Sequence, residues 1–131
     1  MKKLYILVTI LFSMMMFSSP SYSEWKELEQ SWIGKYYIDF DRIRKVDGYV
    51  YFWRLYDLLK PDTDGHMSYR GYVQGDCKLF RLKILSFSNH NFPMGRGDLK
   101  KNTTVKNPTW TYPSPKSVAE NSLKAVCNYI K

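Results

Sequence analysis

Cysteine and histidine are nearly absent from this chain of 131 residues, with two of each. That is too few for a zinc finger, a cysteine-rich scaffold or a histidine-built metal site. No C-x-x-C pair, repeat or low-complexity tract occurs. Beyond the N-terminal region no segment is apolar enough to span a bilayer. Acidic residues are also the minority, 12 against 20 basic ones, for a formal charge of +8. What the chain does have is aromatic side chains: 11 Tyr, 7 Phe and 4 Trp, 17% of the sequence. This bias favours strands over helices. The hydrophobic content of 44% excludes a disordered polymer, and the length suits one domain.

Residues 1–23 have the three parts of a secretory signal peptide. Lys2 and Lys3 give a basic start, and Leu4 to Phe17 is apolar apart from Thr9 and Ser13. Ser21 and Ser23 are small residues at a cleavage site before Glu24. The apolar core of about 14 residues is short of the roughly 20 that a membrane-spanning helix needs. No Cys stands near the cleavage point to carry a lipid. The expected mature chain is therefore the domain 24–131. It has 108 residues, and its 18 basic against 12 acidic side chains leave +6. Export to the periplasm or the cell surface implies an oxidising compartment, where a lone cysteine pair forms a bridge. Cys77 and Cys127, 50 positions apart, are expected to be disulfide-bonded.

Trp25 to Glu29 alternates weakly and suits a first strand, and Gly34 to Phe40 suits a second. Asp41 to Gly48 reads as a polar connection ending in Asp47-Gly48, a hairpin turn signal between aromatic runs. Tyr49 to Leu59 is the clearest strand. Tyr49, Tyr51, Trp53, Leu55 and Leu59 face one way, Val50, Phe52, Tyr56 and Leu58 the other, so both faces should be covered. Lys60 to Gly65 is a turn by composition. Met67 to Gln74 and Cys77 to Ser88 follow as strands, with Gly75-Asp76 as a bulge or bend between them. In the second of these, Phe80, Leu82 and Ile84 oppose Arg81 and Lys83. Asn89 to Asn102 reads as irregular, and Val105 to Tyr112 offers a last strand interrupted by Pro108. The period then changes. Val118, Ser122, Leu123, Val126, Cys127 and Ile130 mark one face of a helix of about 16 residues. Its start is either Ser114-Pro115 or a Ser117 to Glu120 capping box. Strands followed by one helix give an α+β domain.

Tyr36-Tyr37-Ile38-Asp39, Ile43 and the run Val50 to Asp57 together resemble the opening of surface-adhesin E domains. Ser68 ahead of Asp76-Cys77, the Met94-Gly95-Arg96-Gly97 stretch, Trp110, Pro113 with Ser117, and the closing Val126-Cys127 extend the resemblance to almost the whole mature chain. It implies a curved antiparallel sheet of about six strands. A C-terminal helix would be tied to its concave side by the disulfide. The resemblance also implies a homodimer and, in adhesive members, attachment to host matrix proteins. The need to cover both faces of Tyr49 to Leu59 points to a homodimer through an aromatic sheet surface as well, the alternative being a tightly curved sheet that closes a monomeric core.

Five patterns bear on chemistry. Arg96-Gly97-Asp98 is an integrin-type tripeptide and a candidate ligand contact; its glycine equally suits a plain turn. Asp62-x-Asp64-Gly65-His66 is like the start of a calcium loop but lacks the third carboxylate and the distal Glu, so it reads as an acidic turn. His66 and His90 stand in no carboxylate pattern that would make them a general acid and base. Asn102-Thr103-Thr104 is a glycosylation sequon, which matters only in a cell that glycosylates exported chains. Finally, Arg42, Arg44, Lys45, Lys78, Arg81 and Lys83 lie among Tyr and Phe. For an exported chain this suits acidic glycans, head groups or acidic proteins better than nucleic acid. The expectation is an exported, non-enzymatic binding protein with no cofactor and no metal, recognising a host matrix or acidic envelope component. The alternative is a periplasmic accessory protein without host contact.

Overall fold

The computed structural model describes residues 2–3, 24–97 and 99–131. Apart from Lys2 and Lys3, the signal-peptide reading falls outside the described residues, as does Asp98. Seven antiparallel strands form one sheet: β1 (Trp25–Gln30), β2 (Gly34–Asp39), β3 (Arg44–Val46), β4 (Tyr49–Leu58), β5 (Ser68–Asp76), β6 (Arg81–His90) and β7 (Leu99–Thr104). The order is β1-β2-β4-β5-β6-β7, and β3 pairs with β4 beyond the reach of β2. A C-terminal α-helix, α1 (Val118–Tyr129), follows the sheet.

The Asp47-Gly48 turn forms as its sequence demands. Both residues take positive φ, 52° and 80°, which matches the twist of a two-residue hairpin. This turn joins β4 to β3, a strand within the segment read as a polar connection. Arg44, Lys45 and Val46 are exposed and carry no alternation; pairing with Tyr51, Val50 and Tyr49 makes them a strand. The next boundary also differs from expectation. Gly75 and Asp76 are not a bend but the end of β5, paired with Leu82 and Arg81, and the turn lies at Cys77–Phe80. Asp76 Oδ1 fixes that turn by accepting from the N–H groups of Lys78 and Leu79, both at 3.1 Å. Leu99–Thr104, read as mostly irregular, is β7, and the segment 105–112 contributes only the bridge of Thr111 to Leu82.

Side-chain alternation divides the sheet into two faces. Ile38, Val50, Phe52, Val73 and Leu82 point to one face, where Leu123 and Val126 of α1 pack on them; all seven are buried. Gly75 permits this approach. A Cβ there would lie 2.7 Å from Leu123 Cδ1 and 2.9 Å from Val50 Cγ2. The helix begins at the capping box: Ser117 Oγ accepts from the Glu120 N–H at 3.1 Å, and Glu120 Oε1 accepts from the Lys116 N–H at 3.3 Å. It is 12 residues long, shorter than the apolar stripe suggested. The Cys77–Cys127 disulfide joins its last turn to the β5–β6 turn, with Cα atoms 5.8 Å apart. Because Cys77 lies in the turn, strand alternation does not direct its side chain.

Candidate functional site

The face opposite α1 carries a lattice of rings and cations. Tyr51 and Trp53 on β4 stand across from Gln74 and Tyr72 on β5. The Trp53 and Tyr72 rings stack with centroids 4.7 Å apart, and Tyr51 lies 6.2 Å from Tyr72. Arg70 lies between two indoles, its guanidinium carbon 5.0 Å from the Trp53 ring and 5.8 Å from the Trp25 ring. At the other end Arg81 and Lys83 both approach the Trp110 ring to 4.3 Å, and Trp110 lies 5.5 Å from Tyr49. Arg44 Nη2 donates to the Tyr72 hydroxyl at 3.3 Å. Each exposed cation–ring contact contributes roughly 0.5–1 kcal/mol, so together they order the face without neutralising it.

The electrostatics of the two ends differ. Burial works against the charge on Arg70 and holds its pKa down, and the like charge of Arg42 adds to this; Asp39 opposes both. Arg81 also loses water, but its bond to Asp76, Nε to Oδ2 at 3.0 Å, outweighs that and raises its pKa. Asp76 responds in the opposite sense. Burial would raise it, while the Leu79 and Lys78 N–H groups and Arg81 hold it below the usual carboxylate range. Among the described residues Arg44, Arg70 and Lys83 form no ion pair, so the face keeps its positive charge.

The same face is closed off near the end of β4 by Phe92–Gly97. The Met94 N–H donates to Asp57 Oδ1 at 2.8 Å and the Gly95 N–H to Ser68 Oγ at 2.9 Å. Ser68 Oγ in turn donates to the Phe92 carbonyl at 2.7 Å. Gly95, at φ 67°, sits where a Cβ would meet Arg70 Cδ at 2.7 Å. Ser68, Leu55 and His90 are buried on this side of the sheet. Within the integrin-type tripeptide, Arg96 and Gly97 are exposed at the end of this segment, and Arg96 Nε donates to the Pro93 carbonyl at 3.4 Å.

Among the described residues the two histidines share no hydrogen-bond partner. His90 Nε2 lies 2.8 Å from Ser88 Oγ, and burial followed by the Arg70 charge lowers its pKa. His66 Nδ1 lies 3.5 Å from Asp62 Oδ2 in the β4–β5 loop. Asp62, Asp64 and His66 can bring ligand atoms within 4.8 Å of one another. Asp62, however, caps the turn: Oδ1 accepts from the N–H groups of Asp64 at 3.0 Å and His66 at 2.9 Å, and Oδ2 from the Tyr69 hydroxyl. That is the acidic turn expected from its composition. Of the basic residues read among aromatics, Arg44, Arg81 and Lys83 join the ring lattice. Arg42 pairs with buried Asp39 at 3.3 Å, and Lys45 lies by the disulfide with Lys124. The sequence reading missed Arg70, Trp25 and Tyr72. The alternation of Arg70, Tyr72 and Gln74 signalled a common face but not their neighbours.

The family model described as surface-adhesin protein E matches residues 25–128. No curated protein matches. A structure of Haemophilus influenzae protein E superposes with a TM-score of 0.60 at 20% identity, covering 83% of this chain and 88% of that one. Protein E from non-typeable Haemophilus influenzae gives 0.58 at 18%, covering 84% and 79%. A second crystal form gives 0.57 at 21%, covering 73% and 83%. At these identities the structural likeness establishes the fold. The family match spans the whole unit from β1 to the disulfide-tied helix, and by it this chain belongs to the surface-adhesin protein E family.

Proposed function

We propose that this protein is an exported, non-enzymatic, adhesin-like binding protein whose cation–aromatic face engages an acidic partner, a host matrix protein or an acidic envelope component. The observation that carries this reading is the lattice of Arg44, Arg70 and Lys83 among Trp25, Trp53, Tyr72 and Trp110. Tryptophan, tyrosine and arginine are the residues that dominate binding energies at protein interfaces. Charges without internal partners attract and orient an acidic surface. Family membership supports the adhesin-like role, and the signal-peptide pattern supports export.

The test is binding of chain 24–131 to immobilised heparin and to matrix glycoproteins at low and physiological salt. Binding should weaken as salt rises. It should fall about tenfold in an Arg44→Ala, Lys83→Ala double variant that keeps its far-UV spectrum, the loss of two charge-assisted contacts. Unchanged binding in that variant overturns the assignment of the face. Protease treatment of intact cells separates the two locations. Cleavage supports surface exposure, and full protection supports the periplasmic accessory role.

A further inference from the structure

We propose that the opposite, helix-bearing face holds a groove for a small planar aromatic anion, an aryl carboxylate or sulfonate, with Arg54 as its counter-charge. Side chains alternate across the sheet, so Arg54 and the groove's tyrosines point away from the ring lattice; Arg70 borders both, but the two readings are tested at different residues, and either can fail without the other.

The helix covers only part of its face. Beyond its first residue, Val118, a groove of about 380 Å³ continues over the sheet, lined by Tyr36, Arg54, Tyr56, Tyr69, Phe87 and Val118. That is within the range of roughly 300–1,000 Å³ typical of small-molecule sites. Its wall is flat: the Tyr36 and Tyr56 rings stack at 4.2 Å with only 5° between their planes. A planar apolar ligand extends such a stack.

Arg54 decides the charge of the ligand. Its side chain lies across Gly71, where a Cβ would be 3.4 Å from Nε and 3.5 Å from Cγ. It is half-buried, and among the described residues no carboxylate forms an ion pair with it. Glu29, paired in register with Tyr36, instead accepts from Asn121 Nδ2 at 3.2 Å. A guanidinium that has lost water without gaining a counter-charge is costly, and a carboxylate or sulfonate supplies two parallel acceptors that match its fork. Burial also lowers the Arg54 pKa.

The experiment uses chain 24–131 with anilinonaphthalene sulfonate as a fluorescent probe. It compares displacement by naphthoate with that by uncharged naphthalenemethanol, which has the same ring system. Naphthoate should displace the probe at a concentration about tenfold lower or better, the range expected for a charge-assisted bond. Arg54→Met should abolish this preference while leaving naphthalenemethanol unchanged, and Arg54→Lys should restore part of it. Val118→Trp, at the groove mouth, should weaken both compounds. The wild-type comparison stands even if Arg54→Met does not fold. Equal displacement by the two compounds overturns the proposal. So does binding that Val118→Trp leaves untouched, or a groove closed to both because a second copy covers it.

Discussion

At the scale of single residues, burial of titratable groups sets the pH response. His90 is 1% exposed, and burial and then the Arg70 charge favour its neutral form. The unfolded chain titrates near the ordinary value of 6.5, so it takes up the proton first as pH falls. Stability is therefore fully present above about pH 6.5 and is lost as pH falls toward the lowered folded pKa. Urea midpoints should drop between pH 7 and 5, and His90→Gln should flatten that slope. A further loss below pH 4 should persist in this variant. It belongs to Asp76, Asp62 and Glu120, whose folded pKa values are depressed, so their contributions disappear as pH falls through those folded values. An unchanged slope in His90→Gln would place the sensitive group elsewhere. Gly75 tests packing. A methyl group there meets Leu123 and Val50 at under 3.0 Å, and both are locked in the core. Gly75→Ala should cost about 1–3 kcal/mol by overpacking, read as a lower urea midpoint at constant slope.

At the scale of elements, the question is what holds one short helix on the sheet. Leu123 and Val126 supply its buried contact, Ser117 its cap and Cys127 its covalent tie. Ser117→Ala removes the acceptor for the Glu120 N–H and should cost about 1 kcal/mol. Cys127→Ser opens a loop of 50 residues and should cost on the order of 2–4 kcal/mol, checked by denaturation with and without reductant. A variant as stable as the oxidised parent would mean that apolar contact alone docks the helix. β6 shows a second element-level effect. Its extra residue, Leu85, falls between the pairs Val73–Ile84 and Tyr72–Ser86. The bulge restarts the alternation, so Phe87 joins the face of Leu82 and Ile84 despite its different parity. A regular strand would have turned Phe87 onto the ring lattice and left the groove without that wall.

For the whole molecule, the expectation of a homodimer rested on the family resemblance and on the need to cover both faces of β4. Within one chain, α1 covers Val50 and Phe52, while Phe92–Gly97 closes over Leu55. Apolar surface remains at one end of the sheet, where Trp32 is 87% exposed beside Ile33 and Leu59. We propose that two copies pair through this end, since such a patch is unusual on a soluble monomer. Light scattering of chain 24–131 at micromolar concentration should give twice the mass of one chain, and Trp32→Ser should give the single mass. A wild-type mass of one chain that does not rise on concentration rules the pairing out.

Much of this architecture was legible locally. Asp47-Gly48 needs positive φ, Ser117 to Glu120 carries its own cap, and Tyr49 to Leu58 announces two covered faces whatever surrounds it. Two cysteines in an exported chain leave one pairing. These features were readable because neighbours in sequence supply the forces. Other features depended on strands brought together from distant parts of the chain. Arg44–Val46 and Leu99–Thr104 are polar and become strands only by pairing with β4 and β6. The place of Arg70 between Trp25 and Trp53 depends on register from β1 through β2 and β4 to β5, and that of Arg54 across Gly71 on register between β4 and β5. Sequence alone determined the long apolar strand, the helix with its cap and the cysteine bridge. The tertiary structure decided which charges meet rings and which stand without a partner, because a register shift of one residue moves a side chain to the opposite face.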